Sequence, residues 1–292
     1  MKTAKHRLDD ELVEQGYFVD RATAMRAVMA GDVSSRGERL TMPGMQVAPG
    51  VALHVRTSKR TSPSGRGVYV GRGGLKLEGA LTSFVLNPAG RNCLDVGCST
   101  GGFTDCLLKF GARRVAAVDV GYGQFDWGLR GDGRVALFER TNICDADPAL
   151  LGAPFDLAVA DVSFTSVGVI LDSVCSLLAD GGCFCTLVKP QFEARREEVG
   201  EGGVVRDPEV HRRVLRRVLS VFEGSPLAAS ALCVSPVHGA KGNIEFFLLA
   251  RKGGAPAREV DVDAVVDGAW SASCAPCAPG PQSDATVEGA GE

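Results

Sequence analysis

From Leu75 to Ala250, short apolar runs alternate with longer amphipathic ones. Strand-like runs lie at Cys93–Val96, Val115–Val120, Val135–Phe138, Leu157–Asp161, Cys183–Lys189, Leu227–Val234 and Ile244–Ala250. Helix-like stretches lie near Leu75–Phe84, Gly102–Phe110, Val167–Leu178 and Pro208–Phe222, the last opened by an Asp207-Pro208 cap. Such alternation predicts an α/β fold: a seven-stranded, mostly parallel, doubly wound sheet with helices on both faces. The last two strands have no helix between them and should form an antiparallel pair at the sheet edge.

Ahead of this region, residues 5–55 read as a small α/β unit. A helix near Arg7–Gln15 ends at Gly16, and Asp20 caps a second one, Arg21–Ala30, closed by Gly31. Short strands follow around Val33, Met45–Val47 and Val51–Val55, separated by Pro43-Gly44 and Pro49-Gly50 turns. Residues 56–74, rich in Ser, Gly and Arg, read as a flexible basic linker. Residues 75–252 form the main domain, and 253–292 lose periodicity and read as a disordered tail.

Charge adds a function to this outline. Residues 1–76 hold 13 Lys and Arg against 7 acidic residues, a balance of +6; the remainder holds 19 against 28, or −9. A basic front on an acidic body suggests contact with a polyanion. Candidate contacts are Arg7, Arg21, Arg26, Arg36 and Arg39 in the small unit, then Lys59, Arg60, Arg66 and Arg72 in the linker. No apolar run reaches the roughly 18 residues of a membrane span. Met1–His6 has no apolar core behind its charges, so no secretory signal is expected. Of the 10 cysteines, Cys93, Cys183, Cys185 and Cys233 sit in strand-like runs, which fits reduced thiols and a cytoplasmic setting. Cys274-Ala275-Pro276-Cys277 lacks two further ligands, and no metal is expected.

The candidate chemistry starts at Leu94-Asp95-Val96-Gly97-Cys98-Ser99-Thr100-Gly101-Gly102-Phe103, a strand running through glycines into a helix. Such a turn can serve several nucleotide-bearing cofactors. A carboxylate two residues before the first glycine suits a cationic ligand better than a pyrophosphate. Asp119, 22 residues beyond Gly97, ends the next strand and can accept from ribose hydroxyls. Both details point to S-adenosylmethionine.

The main domain resembles the class I S-adenosylmethionine-dependent methyltransferases on these residues. The resemblance implies that Asp95, Gly97, Ser99, Thr100, Gly101, Gly102 and Phe103 border the methionine part, that Asp119 holds the ribose, and that Asn142 and Ile143 meet the adenine, with Asp145 as an acidic alternative. Amine methyltransferases carry an Asp/Asn-Pro-Pro-Tyr/Phe motif where this chain has Asp161-Val162-Ser163-Phe164. Cys185-Thr186, the nearest match to a cytosine-carbon nucleophile, lies mid-strand. An oxygen acceptor remains.

Four charged residues interrupt apolar or glycine-rich settings: Lys76, Asp161, Lys189 and Glu245. In this order they resemble the tetrad of the FtsJ-like ribose 2′-hydroxyl methyltransferases. Lys189 would be central, Asp161 and Glu245 would orient it, and Lys76 would complete the charge pattern. The small unit resembles the αL RNA-binding module of a ribosomal small-subunit protein and of pseudouridine synthases, through Arg7-Leu8-Asp9, Asp20-Arg21, Gly31-Asp32-Val33, Pro43 and Gly50. Ser34-Ser35-Arg36-Gly37 replaces that module's usual Val-Asn-Gly. With Gly-Arg-Gly-Gly-Leu-Lys and Leu-Val-Lys-Pro-Gln-Phe-Glu, the whole order is similar to the TlyA family, whose members also carry a hemolysin label. That resemblance implies 2′-O-methylation of a cytidine in ribosomal RNA, with RNA or a ribosomal subunit as partner and no membrane partner. A membrane-lytic protein and a non-catalytic ribosome-assembly factor are the alternatives.

Overall fold

The computed structural model describes residues 5–15, 21–35, 38–51, 53–55, 62–239, 242–254 and 260–274. The chain divides into two units, Met1–Val68 and Tyr69–Glu292.

The first unit holds β1 (His6–Arg7), α1 (Leu8–Glu14), α2 (Arg21–Met29), β2 (Val33–Ser35), β3 (Glu38–Leu40), β4 (Gln46–Val47) and β5 (His54–Val55). β2 pairs antiparallel with both β3 and β5, and β1 pairs with β4. Leu8, Leu12, Ala24, Val28, Val33 and Leu53 form the core. The helices follow the apolar spacing. β1 and β3 are additions, because strands of two and three residues are too short to show an alternation. Gly31 follows α2 at φ +71°, as expected of a helix stop. The proposed stop at Gly16 and cap at Asp20 lie outside the described residues.

The second unit holds α3 (Arg72–Ser83), β6 (Asn92–Val96), α4 (Gly102–Lys109), β7 (Arg114–Val118), α5 (Trp127–Arg130), β8 (Val135–Phe138), α6 (Pro148–Leu151), β9 (Phe155–Ala160), α7 (Val167–Leu177), β10 (Leu178–Val188), α8 (Pro190–Glu193), α9 (Pro208–Glu223), β11 (Leu227–Val234), β12 (Phe246–Lys252) and α10 (Val262–Cys274). The seven strands are ordered β11-β12-β10-β9-β6-β7-β8. β10, β9, β6, β7 and β8 are parallel, and β12 lies antiparallel between β10 and β11. Successive strand residues face opposite sides. Leu94, Val96, Ala158 and Ala160 join the layer under α7, α9 and α10. Cys93, Val115, Leu157 and Val159 join the layer under α3 and α4.

Two boundaries read from the sequence are corrected. The linker stops short of residue 74: Ser62–Gly67 closes a hydrogen-bonded turn, Tyr69 is buried in the main core, and α3 already begins at Arg72. Residues 56–61 lie outside the described set. The stretch after 252 is not featureless, since α10 buries Val262, Val266 and Ala269 in the core. Ala, Asp and Gly between these positions dilute its period. Its stability comes from docking, through Asp263 and Asp267 paired with Arg212 and Asp263 with Arg216.

Candidate active site

The strand-to-helix turn forms as the glycines suggest. Gly97, Ser99 and Gly101 all have positive φ, at +79°, +46° and +91°. At Gly97 a Cβ would sit 2.9 Å from the Asp161 carbonyl oxygen, so this glycine lets the end of β6 meet the end of β9. The Asp161 N–H completes the junction by donating to the Val96 carbonyl at 3.0 Å. The glycine turn and Asp161 are thus one piece of backbone.

Gly102 has a different task. A Cβ there would lie 3.1–3.3 Å from the backbone of Gly73 and Gly74. Gly102, which opens α4, therefore lies directly against the Gly73-Gly74 pair that opens α3. This close approach brings Lys76, one turn along α3, up to the sheet edge. Phe103 is a core residue stacked on Phe247 at 6.0 Å, and Ile143 is likewise buried in the core. Both side chains are turned into the core. Their apolar character serves helix and turn packing.

Asp119 is half-buried at the end of β7. Its carboxylate accepts from the Ser99 N–H and the Gly121 N–H, both at 2.7 Å, and so fixes the turn. Asn142 is exposed and caps the short turn after β8 by accepting from the Cys144 N–H. Thr100 is exposed, with its carbonyl accepting from the Asp126 N–H.

Asp95 lies beneath the turn and is fully buried, so it does not form the rim of the site. One carboxylate oxygen accepts from the Thr104 hydroxyl at 2.6 Å; the other has no hydrogen-bond partner. Burial pushes its pKa up to about 7, with repulsion from Asp161 and Asp119 adding and the Thr104 hydrogen bonds opposing. An unpaired buried oxygen under a positive-φ glycine turn fits a cationic ligand, whose ammonium or sulfonium would offset it. The first N–H groups of α4 have no intrahelical acceptor and suit a carboxylate.

The four tetrad residues all reach the C-terminal edge of the sheet, but in two pairs. Lys189 Nζ lies 2.6 Å from Asp161 and donates to the Ser163 hydroxyl at 2.8 Å. Lys76 Nζ donates to Glu245 at 2.5 Å. Glu245 also accepts from the Gln191 amide at 3.4 Å, and Gln191 lies two residues beyond Lys189. Glu245 therefore orients Lys76 and, among the described residues, meets the Lys189 segment through Gln191. This corrects the expectation that Glu245 holds Lys189 directly. Lys76 and Glu245 are nearly sealed from solvent, whereas Asp161 is partly open. A buried cation needs a partner, and each lysine has its own.

Cys185 is fully buried in β10, and burial raises its thiol well above the ordinary range. It cannot serve as a nucleophile, which agrees with an oxygen acceptor. Cys93, Cys98, Cys106, Cys144, Cys175, Cys183, Cys185 and Cys233 are free thiols.

The sequence reading missed Phe164. It follows Ser163 with φ +61°, is 90% exposed, and its ring sits 4.9 Å from that of Phe192. An exposed aromatic in left-handed backbone beside a buried lysine marks a functional position. The only signal in the sequence was a phenylalanine in a turn-like tetrapeptide.

The FtsJ-like methyltransferase family model matches residues 69–252, most of the chain and the whole of this sheet. TlyA of Mycobacterium tuberculosis, named as a 16S/23S rRNA (cytidine-2′-O)-methyltransferase, is 40% identical over 245 residues, 84% of this chain and 89% of TlyA. The chain belongs to the FtsJ-like methyltransferase family, and within it to the TlyA family. YqxC of Bacillus subtilis, which carries an rRNA-methyltransferase label, is 46% identical over 85% of this chain and 86% of its own. A hemolysin-labelled structure from Streptococcus thermophilus superposes with a TM-score of 0.70 at 40% identity, over 92% of this chain and 97% of that one. In this FtsJ-like methyltransferase no helix among the described residues is long and apolar enough to cross a membrane.

The basic residues read as candidate RNA contacts divide by role. Arg7 and Arg21 both hold Asp9, which is fully buried, at 2.8 and 3.1 Å. Burial alone would raise the Asp9 pKa, but hydrogen bonds and charge from the two arginines outweigh it and hold the carboxyl below its usual range. Arg26, Arg39 and Arg66 are exposed, and Arg72 is half-buried in the first turn of α3. Arg36, Lys59 and Arg60 lie outside the described residues.

Proposed function

We propose that this protein transfers a methyl group from S-adenosylmethionine to the ribose 2′-hydroxyl of a cytidine in ribosomal RNA, working in the cytoplasm. The observation that carries the reading is Lys189 held by Asp161 and Ser163 beside the glycine turn. Asp95, Gly97, Ser99, Thr100, Gly101, Gly102, Asp119 and Asn142 would hold the cofactor, which supplies an electrophilic methyl group when bound.

A ribose hydroxyl is a weak nucleophile. As its oxygen gains the methyl carbon, it must shed its proton. Lys189 Nζ takes the proton when it is the neutral amine, or donates to the oxygen as charge develops there when it is the ammonium. Asp161 steadies the resulting ammonium, and Ser163 fixes its direction. Lys76 and Glu245 neutralise each other and leave a rigid, dry wall. Phe164 offers a face for the target base to stack on. The exposed arginines of the first unit, with the basic residues that follow it, engage the phosphate backbone.

The test uses labelled cofactor with purified small subunits, large subunits and free ribosomal RNA, then locates the modified nucleotide by reverse-transcription stops. Lys189→Ala should lose at least about 100-fold in transfer rate while still binding S-adenosylmethionine in calorimetry. Near-normal transfer by that variant removes Lys189 from the chemistry. Absence of transfer to all three RNAs by the unaltered protein removes the substrate.

A further inference from the structure

Lys189 and Asp161 come from separate segments. Lys189 opens the stretch Pro190–Glu193, and Asp161 opens the stretch that runs through Ser163 and Phe164 to the start of α7. Besides the Lys189 contacts themselves, two links join these stretches. One is the Phe164–Phe192 ring contact at 4.9 Å. The other is Glu193. Its carboxylate accepts from the Val167 N–H at 2.7 Å and from the Ser166 hydroxyl at 2.8 Å. Glu193 is 8% exposed, too enclosed for a solvated surface acid. Ser166 is itself the cap of α7 and accepts from the Gly168 N–H. One buried carboxylate thus closes the first turn of α7 from a different segment and anchors the far end of the Lys189 stretch.

We propose that Glu193 is a positioning residue for methyl transfer: it locks the segment bearing Lys189 onto the segment bearing Asp161 and Ser163, and so sets the register of the Lys189–Asp161 pair. The proposal rests on the catalytic reading of Lys189. The cofactor turn is tied separately, through Gly97, Asp119 and the Asp161 backbone. Loss of Glu193 therefore acts on the chemical step more than on cofactor binding. A small displacement of a proton-handling group is enough, since about 1 Å of misplacement can cost on the order of 100-fold in rate.

The chemistry of the brace selects the variants. Gln at this position keeps a carbonyl oxygen for the Val167 N–H and turns an amide N–H toward the Ser166 oxygen, which can accept. Ala keeps neither. The experiment compares Glu193→Ala, Glu193→Gln and Lys189→Ala in the full-length protein with purified ribosomal subunits. It measures kcat, KM for S-adenosylmethionine, calorimetric binding of S-adenosylhomocysteine, and hydrogen exchange at the Val167 amide.

The expected result for Glu193→Ala is a kcat about 10- to 100-fold lower, with cofactor KM and binding within about threefold and the Val167 amide deprotected. Glu193→Gln should return kcat to within about threefold of wild type and restore protection. A Glu193→Ala protein with wild-type kcat, or one that loses cofactor binding in parallel with activity, overturns the proposal. So does a Glu193→Gln protein as slow as the Ala variant. If Lys189→Ala is inactive while Glu193→Ala is not, only the brace fails. If Lys189→Ala is active, the catalytic reading fails first and takes the brace with it.

Discussion

Asp95 shows how spacing can locate a residue in a glycine turn without disclosing its setting. The spacing to Gly97 marked it as part of the cofactor turn, and the structure puts it under that turn with one unpaired oxygen. Its raised pKa of about 7 has a consequence for stability. Between about pH 4 and 7 the folded protein keeps a proton that the unfolded chain releases. The contribution is therefore full below pH 4 and is lost as pH rises through 7. Asp95→Asn removes the charge and keeps an acceptor for Thr104. It should raise the thermal midpoint at pH 8 by several degrees, on the order of 2–4 kcal/mol, and flatten the dependence between pH 4 and 7. It should also weaken S-adenosylmethionine binding, because the offsetting charge is gone. Scanning calorimetry with and without cofactor checks both outcomes.

Among the helices longer than four residues, α10 is the one that the hydrophobic pattern did not disclose. Its contact with α9 includes a hydrogen bond from the Trp270 indole N–H to His211 Nδ1 at 3.1 Å. Accepting there leaves the imidazole proton on Nε2. Burial depresses the His211 pKa to about 4, with Asp207 opposing weakly. The unfolded chain takes up a proton near pH 6.5 that the folded one refuses, so this contribution is present above pH 6.5 and is lost as pH falls toward 4. The loss amounts to about 3 kcal/mol at most. Trp270 fluorescence should shift as α10 loosens over that range. His211→Gln, which retains an acceptor but cannot titrate, should remove the acid-side shift. A variant that keeps the wild-type pH profile would assign the transition to another group.

On the scale of the whole molecule, the basic N-terminal unit and the sheet-edge site serve one substrate in the proposed reading. Arg7 and Arg21 are committed to Asp9, so the more informative phosphate contact is Arg39, which is exposed with its stem over the Gly31 turn. Arg39→Ala should weaken RNA binding and lower the slope of log affinity against log salt by about 0.7–0.9, the release expected for one phosphate contact. Cofactor affinity should not change. Filter binding at several salt concentrations measures the slope; an unchanged slope removes Arg39 from the RNA interface.

The sequence by itself determined the alternation of strands and helices, the glycine turn and the identities of the four charged residues. These signals are local: periods of 2 and 3.6 are written within a few residues, and a glycine pair or a lysine in apolar surroundings stands out from its immediate neighbours. Tertiary structure decided who meets whom. Lys76 and Glu245 are 169 residues apart and pair with each other, while Lys189 takes Asp161. Gly102 and the Gly73-Gly74 pair prove to be one close contact between two helix starts. The side chains of Phe103 and Ile143, read as neighbours of the cofactor, lie in the core. α10 forms because α9 offers it charged partners and an apolar face. Each of these outcomes depends on surfaces contributed by distant parts of the chain, and no pattern along the sequence encodes which surfaces those are.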